Sequence, residues 1–208
     1  MNSHSAMIYI VDDDVSVCRA LALLLKSHGF KVETFTRATG FLNFKHPKTP
    51  SCLVLDIRLP SINGFALQQV MAQRGIATPI IFITGHGNIP MSVKAMRAGA
   101  IDFISKPFSQ KTLLNAIALA ISKSKTQNKK QAEIEKIKRR VKILSPRELE
   151  VFRFVAQGML NKQIAAKRGT SLQTIKVHRS RVMQKMQAKT VTELIHLAQK
   201  SGMASPQQ

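Results

Sequence analysis

An α/β unit built on a parallel sheet, followed by a smaller all-helical unit, is the architecture this sequence predicts, and three observations carry it. Four short apolar runs and one alternating run recur in the first part of the chain, separated by stretches whose apolar residues fall at helical spacing. The later part lacks such runs and shows helix-start signals instead, at Ser145-Pro146-Arg147-Glu148 and Thr190-Val191-Thr192-Glu193. Charge divides the chain in the same way: residues 1–123 hold 13 basic and 6 acidic side chains, whereas 124–208 hold 19 and 5.

The first element is Ile8-Tyr9-Ile10-Val11, an apolar run suited to a strand buried on both faces, with Asp12-Asp13-Asp14 at its carboxyl end. Val17, Leu21, Leu24 and Leu25 then recur at helical spacing, and Gly29 suits the helix stop. Lys31 to Phe35 alternates as a strand does, and a short helix over Ala38 to Phe44 follows. Leu53-Val54-Leu55 is the third strand and ends at a lone carboxylate, Asp56. After a loop from Arg58 to Asn63 and Gly64, the residues Phe65, Leu67, Val70 and Met71 predict a helix. Pro79 to Thr84 is the fourth strand, closed by Gly85-His86-Gly87, and a helix from Ile89 to Ala98 leads to the fifth strand, Ile101 to Ser105. Lys106-Pro107 ends that strand, and Leu113, Leu114, Ile117, Ala120 and Ile121 form the stripe of the last helix.

Residues 123–143 change character to polar and basic, which predicts a solvated linker and leaves open a helical continuation of the preceding helix. Beyond it, Ser145-Pro146-Arg147-Glu148 is a capping box with Pro at the first helical position, and Leu149, Phe152, Val155 and Ala156 line one face until Gly158. A second helix runs Asn161 to Arg168, Gly169 makes the turn, and Ser171 caps a longer helix to about Met186. The Thr190 box opens a final helix. Helices joined through a short glycine turn predict a helix-turn-helix.

Composition narrows the function. The chain of 208 residues carries a net +21, so its partners are polyanions, DNA or RNA ahead of acidic membranes, because no basic amphipathic anchor stands out. No apolar run reaches the ~18 residues of a membrane span, and the N-terminal residues lack a signal-peptide pattern, which sets a cytoplasmic expectation. Cys18 and Cys52 stand alone, without a CxxC pair or a His cluster, and read as small buried apolar residues.

Ligands bind at the carboxyl ends of strands in an open α/β sheet, and those ends carry Asp12, Asp13, Asp56, Thr84 and Lys106. Clustered carboxylates repel one another unless a hard cation joins them, and Mg²⁺ takes a few carboxylates with several waters. An ammonium and a hydroxyl nearby suit the oxygens of an anion attached to Asp56. The set matches phosphoryl transfer onto a carboxylate. His86 is a tempting base in its glycine-rich loop, but the aspartates already account for the site.

With these residues in this order, residues 6–122 resemble a response-regulator receiver domain. The resemblance implies a flavodoxin-like fold, (βα)5, with parallel sheet order 2-1-3-4-5. It implies Asp56 as the phosphoacceptor for a sensor histidine kinase, Thr84 and Lys106 as ligands of the phosphoryl group, and Phe103 with Thr84 as the switch pair. Mg²⁺ would be held by Asp13, Asp56 and the backbone carbonyl of Arg58, with Asp12 acting through water, and Lys106-Pro107 would be a cis peptide. An aspartyl-phosphate phosphatase would need a carboxylate where Arg58 stands, and no GxxxxGK[ST] element marks an NTPase.

Residues 144–203 resemble the LuxR-type helix-turn-helix of the FixJ/NarL subfamily. The residues that carry this are Leu144 to Glu148, Gly158-x-x-Asn161-Lys162-x-Ile164-Ala165, and Ser171-x-x-Thr174-Ile175-Lys176-x-His178-Arg179, then Lys185-Met186. The resemblance implies DNA binding through Asn161, Lys162, Ser171, Thr174, Lys176, Val177, His178, Ser180 and Arg181. Lys176, Val177 and Ser180 would face base edges, and Asn161, Lys162, Thr174, His178 and Arg181 phosphates. Arg168 and Thr170 depart from the family's turn, where apolar residues are common. The expected protein is a non-enzymatic transcription regulator whose partners are a sensor kinase and promoter DNA. It would form a homodimer through the fourth helix and fifth strand, with RNA polymerase as a further partner.

Overall fold

A computed structural model describes residues 6–60, 62–85 and 88–203, and these fall into two compact units, 1–129 and 130–208. His86 lies outside the described residues.

In the first unit the strands are β1 (Met7–Val11), β2 (Lys31–Phe35), β3 (Ser51–Asp56), β4 (Ile80–Thr84) and β5 (Asp102–Ser105). They form one sheet in the order β2-β1-β3-β4-β5, every neighbouring pair parallel. The helices are α1 (Val15–Ser27), α2 (Ala38–Asn43), α3 (Gly64–Gln73), α4 (Ile89–Arg97) and the start of α5 (Gln110–Lys142). Apolar runs without alternation bury both faces of a strand, and β3 and β4 are buried throughout. β2, whose sequence alternates, is the edge strand and only half-buried at Val32 and Phe35.

Two apolar layers sandwich the sheet. On one face Ile8, Ile10, Val54, Ile81 and Ile83 pack with Leu21 and Leu25 of α1 and Leu113 and Ile117 of α5. On the other, Tyr9, Val11, Leu53, Leu55 and Phe82 pack with Phe41 of α2 and Leu67 and Met71 of α3. Asp14 caps α1 by accepting hydrogen bonds from the N–H groups of Ser16 and Val17. A buried Ser124 hydroxyl of α5 accepts from the Ser51 N–H at 3.0 Å, tying that helix to the start of β3.

The second unit contains the end of α5 with α6 (Pro146–Ala156), α7 (Asn161–Arg168), α8 (Leu172–Met186) and α9 (Val191–Lys200). Residues 123–142 are thus helical, and Ile137 and Val141 join the core of Phe152, Val155, Ile164, Ile175, Val182, Met186 and Leu194. The capping box at Ser145 forms in both directions: Glu148 donates its N–H to Ser145 Oγ and accepts from the Ser145 N–H.

Two details differ from the sequence reading. At Thr190 only half a box forms. Thr190 Oγ1 accepts from the Glu193 N–H, but the Glu193 carboxylate takes the N–H of Lys189 at 2.8 Å, one residue earlier than a box requires. On α6 the buried positions are Glu148, Val151, Phe152 and Val155, while Leu149 and Ala156 are half-buried. The face is rotated because α6 packs against both α8 and α9, and the buried Glu148 carboxylate is satisfied by Ser145 and Lys185. Among the described residues no helix is long and apolar enough to cross a membrane.

Candidate functional site

Parallel register assembles the first site. Val11 pairs with Leu55, so the next residue on each strand, Asp12 and Asp56, emerges side by side where the strands end. Thr84 pairs with Ser105, which puts Thr84 one residue from Lys106 on the same rim. A backbone hydrogen bond from the Lys106 N–H to the Thr84 carbonyl, 2.7 Å, extends the pairing past the last strand residue, and Lys106-Pro107 is cis.

Lys106 is the hub. Its Nζ donates to Asp12 Oδ2 at 2.7 Å and to Asp56 Oδ1 at 3.1 Å. Both carboxylates are buried, whereas the lysine side chain is 26% exposed. The second oxygen of each acid is held by backbone: the Arg58 N–H donates to Asp56 Oδ2 and the Asp14 N–H to Asp12 Oδ1. Burial pushes the Asp56 carboxyl above the usual carboxylate range against the opposing pull of Lys106 and the Arg58 N–H. For Lys106 burial works against the charge, but the two carboxylates outweigh it and hold the ammonium above the ordinary lysine range.

Of the residues expected at this rim, Asp12, Asp56 and Lys106 are joined directly, and Thr84, buried, is joined through its carbonyl. Asp13 is exposed and makes no hydrogen bond or ion pair among the described residues, and Arg58 is exposed with its N–H on Asp56. Phe103, half-buried on β5, is in register with Phe82 of β4 and packs into the second apolar layer. Among the described residues no group of three or more His, Cys, Asp and Glu side chains is placed to hold a metal ion. The donor chemistry nevertheless suits Mg²⁺, which takes one or two carboxylates and keeps several waters. Asp13 follows Asp12 in the chain with an exposed carboxylate that has no bond among the described residues, while Lys106 takes one oxygen each of Asp12 and Asp56.

Two residues of this site carry no motif signal. Cys18, buried on α1, donates its thiol to the Asp12 carbonyl at 3.3 Å and so braces the turn that presents the acid. Gly64 starts α3 against the backbone of β3: a Cβ there would lie 2.8 Å from the Asp56 carbonyl oxygen, 3.0 Å from Phe82 Cε1 and 3.1 Å from Ile57 Cα. Only glycine admits that approach, and α3 is thereby seated directly beneath the acid.

The second site is α8 and what orients it. Ile175, Val182 and Met186 are buried and fix its rotation. Lys176, Val177, Ser180 and Arg181 are consequently exposed. Ser171 caps the helix, accepting from the Thr174 N–H at 3.0 Å. Gly169 ends α7 in the left-handed region (φ 60°), which a short glycine turn requires. Asn161 is held by Arg179, whose Nη1 donates to its side-chain oxygen, and Lys162 is exposed beside it. His178 is half-buried, with Nδ1 lacking a hydrogen-bond partner among the described residues. Arg168 pairs with Glu150 of α6 at 2.7 Å, so the charged residue in the turn has a partner inside the unit. Glu148, only 3% exposed, links the start of α6 to α8, its carboxylate accepting from the Ser145 N–H and from Lys185 Nζ (2.6 Å). Those two bonds hold its carboxyl below the usual glutamate range.

Comparison with known proteins places both units in families. Residues 8–118 match the family described as response regulator receiver domain, and residues 142–198 match bacterial regulatory proteins, luxR family. The response regulator protein TmoT of Ectopseudomonas mendocina is 44% identical over 200 residues, covering 96% of this chain and 91% of its own length. The transcriptional regulatory protein FixJ of Bradyrhizobium diazoefficiens is 40% identical over 196 residues, covering 94% and 96%. Among solved structures, the response regulator StyR superposes with a TM-score of 0.78 at 40% identity, covering 94% of this chain and 99% of that one. Full-length FixJ from B. japonicum superposes with a TM-score of 0.54 at 38% identity, covering 96% and 98%. With a receiver fold, a LuxR-type helix-turn-helix and relatives matched along nearly the whole chain, this protein belongs to the FixJ/NarL-type response regulators, the DNA-binding transcription regulators of two-component systems.

Proposed function

We propose that the protein is switched by phosphorylation of Asp56, with a phosphohistidine of a sensor histidine kinase as donor. The observation that carries this reading is the Lys106 ammonium bridging the buried carboxylates of Asp12 and Asp56. A cation held between two acids is the arrangement that a transferred phosphoryl group can enter: its oxygens take over Lys106, and the Thr84 hydroxyl binds another. Asp12, Asp13, Asp56 and the Arg58 carbonyl would hold Mg²⁺, which supplies neutralisation of the anionic phosphoryl oxygens. Thr84 and Phe103 then reposition as the switch.

The reading divides the chain into a receiver over 6–122, a helical linker over 123–143 and a DNA-binding unit over 144–203. The modified receiver forms a homodimer through α4 and β5. Support comes from Ile89, Val93 and Met96, 80%, 43% and 47% exposed, which recur at helical spacing on α4 and leave an apolar stripe open to a second copy. In the DNA-binding unit Lys176, Val177 and Ser180 face base edges in promoter DNA, with Asn161, Lys162, Ser171, Thr174, His178 and Arg181 on phosphates. The dimer works in the cytoplasm, where RNA polymerase is the partner it would recruit or block.

The test is incubation of the purified protein with a small phosphodonor and Mg²⁺. A hydroxylamine-labile phosphate should form on the wild type and not on Asp56→Ala. Equal labelling of the two proteins, or none on the wild type, refutes the mechanism.

A further inference from the structure

The helical unit has a cleft that the base-facing residues of α8 do not account for. It encloses about 300 Å³ between α6, the turn after α7 and one flank of α8. Arg147 and Glu150 come from α6, Arg168 and Thr170 flank the turn, and Thr174 and His178 come from α8. Arg168 and Thr170 are the two positions at which this chain departs from the apolar turn common in LuxR-type sequences. A polar cleft thus stands where apolar packing is usual.

One carboxylate serves two guanidiniums there. Glu150 Oε1 lies 2.7 Å from Arg168 Nη1, and Glu150 Oε2 lies 3.6 Å from Arg147 Nη1. The cluster retains a net positive charge. The Arg168–Glu150 pair is about one-third exposed, 31% and 32%, so water and ions reach it. His178 adds a ring nitrogen, Nδ1, that is buried with no hydrogen-bond partner among the described residues. Two threonine hydroxyls add further donors to a lining whose acid, Glu150, is outnumbered by two guanidiniums and whose apolar members are Val151 and Ile175.

The position of the cleft identifies the anion. Thr174, His178 and Arg181 recur at helical spacing along one flank of α8, between the buried stripe of Ile175 and Val182 and the exposed Lys176, Val177 and Ser180. When a recognition helix lies in the major groove, its flanks run beside the sugar-phosphate walls. We propose that this cleft is a cradle for a DNA backbone phosphate, in which Arg168 exchanges its bond to Glu150 for the phosphate. Arg147 and the Thr174 hydroxyl add donors, and Glu150 opposes the exchange by competing for both guanidiniums. The contact carries no base information, so it sets affinity and salt dependence, not operator choice. It rests on the reading of α8 as the groove-facing helix.

The experiment measures binding of the full-length protein to a fluorescent duplex of arbitrary sequence between about 50 and 200 mM salt, since each phosphate contact contributes about −0.9 to the slope of log K against log salt. Arg168→Leu should make the slope shallower by about 0.9. Glu150→Gln, a near-isosteric change that keeps the cleft, should tighten binding several-fold at low salt. Lys189→Leu removes one charge outside the cleft and should leave the slope unchanged. Melting curves check that each variant is folded.

An unchanged slope in Arg168→Leu, or weaker binding in Glu150→Gln, overturns the cradle and leaves Arg168 as a tie between helices. A wild type that does not bind the duplex overturns the reading of α8 itself, and the cradle with it. A second arm compares melting in inorganic phosphate and in chloride at equal ionic strength. Stabilisation by phosphate that depends on Arg168, with the DNA slope unaltered in Arg168→Leu, would assign the cleft to a free anion and overturn the DNA assignment.

Discussion

Replacing Lys106 by Met removes the cation from between Asp12 and Asp56 while keeping the aliphatic stem, and the structure sets the size of the loss. Two charge-assisted hydrogen bonds disappear, at 2.7 and 3.1 Å, each worth roughly 1.5–3 kcal/mol when charged groups are involved. Two buried carboxylates are then left facing each other. Because Lys106 is 26% exposed, water replaces part of what is lost, so the expected cost is about 2–4 kcal/mol and not the sum of the bonds. Asp56→Asn should behave oppositely. The carboxyl of Asp56 is raised by burial, so the folded protein binds its proton more tightly than the unfolded chain, and ionisation above that range costs stability. Removing the charge relieves that cost and leaves Lys106 paired with Asp12; stability should change by less than about 1 kcal/mol, or rise. The double variant should recover part of the Lys106→Met loss, because only one carboxylate then remains without a cation. The chain has one tyrosine and no tryptophan, and Tyr9 is fully buried in β1, so tyrosine emission in a urea titration follows the first unit alone. A Lys106→Met protein within about 0.5 kcal/mol of wild type, or an Asp56→Asn loss equal to it, would refute the claim that Lys106 is the cation that balances this rim.

Gly64→Ala should destabilise the first unit by about 1–3 kcal/mol and slow labelling at Asp56, because the new Cβ meets backbone at 2.8 Å and cannot be relieved by a side-chain rotation; the same titration and a labelling time course measure both effects. Glu148→Gln should cost the helical unit about 2–3 kcal/mol, read by circular dichroism on heating, because the pair with Lys185 at 2.6 Å loses its charge. Its pH dependence has a definite sign: the Glu148 carboxyl is held below the usual range, so its contribution is present above the unfolded value near ~4.3 and is lost as the pH falls through the lower folded value, and the variant should lack this acid-side loss.

How much of this was legible beforehand follows from what kind of signal each residue leaves. The five strands are legible as apolar runs, their order only through the receiver resemblance that the strand-end residues carry, and the sheet forms as β2-β1-β3-β4-β5. The core stripe of α8 is legible for the same reason, since Ile175, Val182 and Met186 repeat at helical spacing. The acidic triplet was harder. Asp12, Asp13 and Asp14 are chemically alike, and only the structure separates a Lys106 partner, a carboxylate with no bond among the described residues, and a helix cap. Cys18 and Gly64 were opaque because their work is done on backbone atoms, the Asp12 and Asp56 carbonyls, which leave no pattern of side chains. The half-formed box at Thr190 failed for a related reason: spacing places Glu193 correctly, but the local turn offers it the Lys189 N–H first.

Under the proposed mechanism the same geometry restricts how a change at Asp56 can travel. The acid ends strand β3, whose six residues are all buried, and α3 starts at Gly64 so near its carbonyl that a Cβ would clash there. Lys106 and Thr84 lie where β5 and β4 end, and a backbone hydrogen bond of 2.7 Å couples them. A phosphoryl group that draws Lys106 from Asp12 and engages Thr84 therefore pulls on one joined pair of strand ends. The helix next in the chain after Thr84 is α4, which carries the exposed stripe of Ile89, Val93 and Met96, and Phe103 lies on β5 three residues before Lys106, half-buried against the second apolar layer. Under this mechanism added charge at Asp56 would pass through Lys106 and Thr84 to β5 and α4, the elements proposed to meet a second copy.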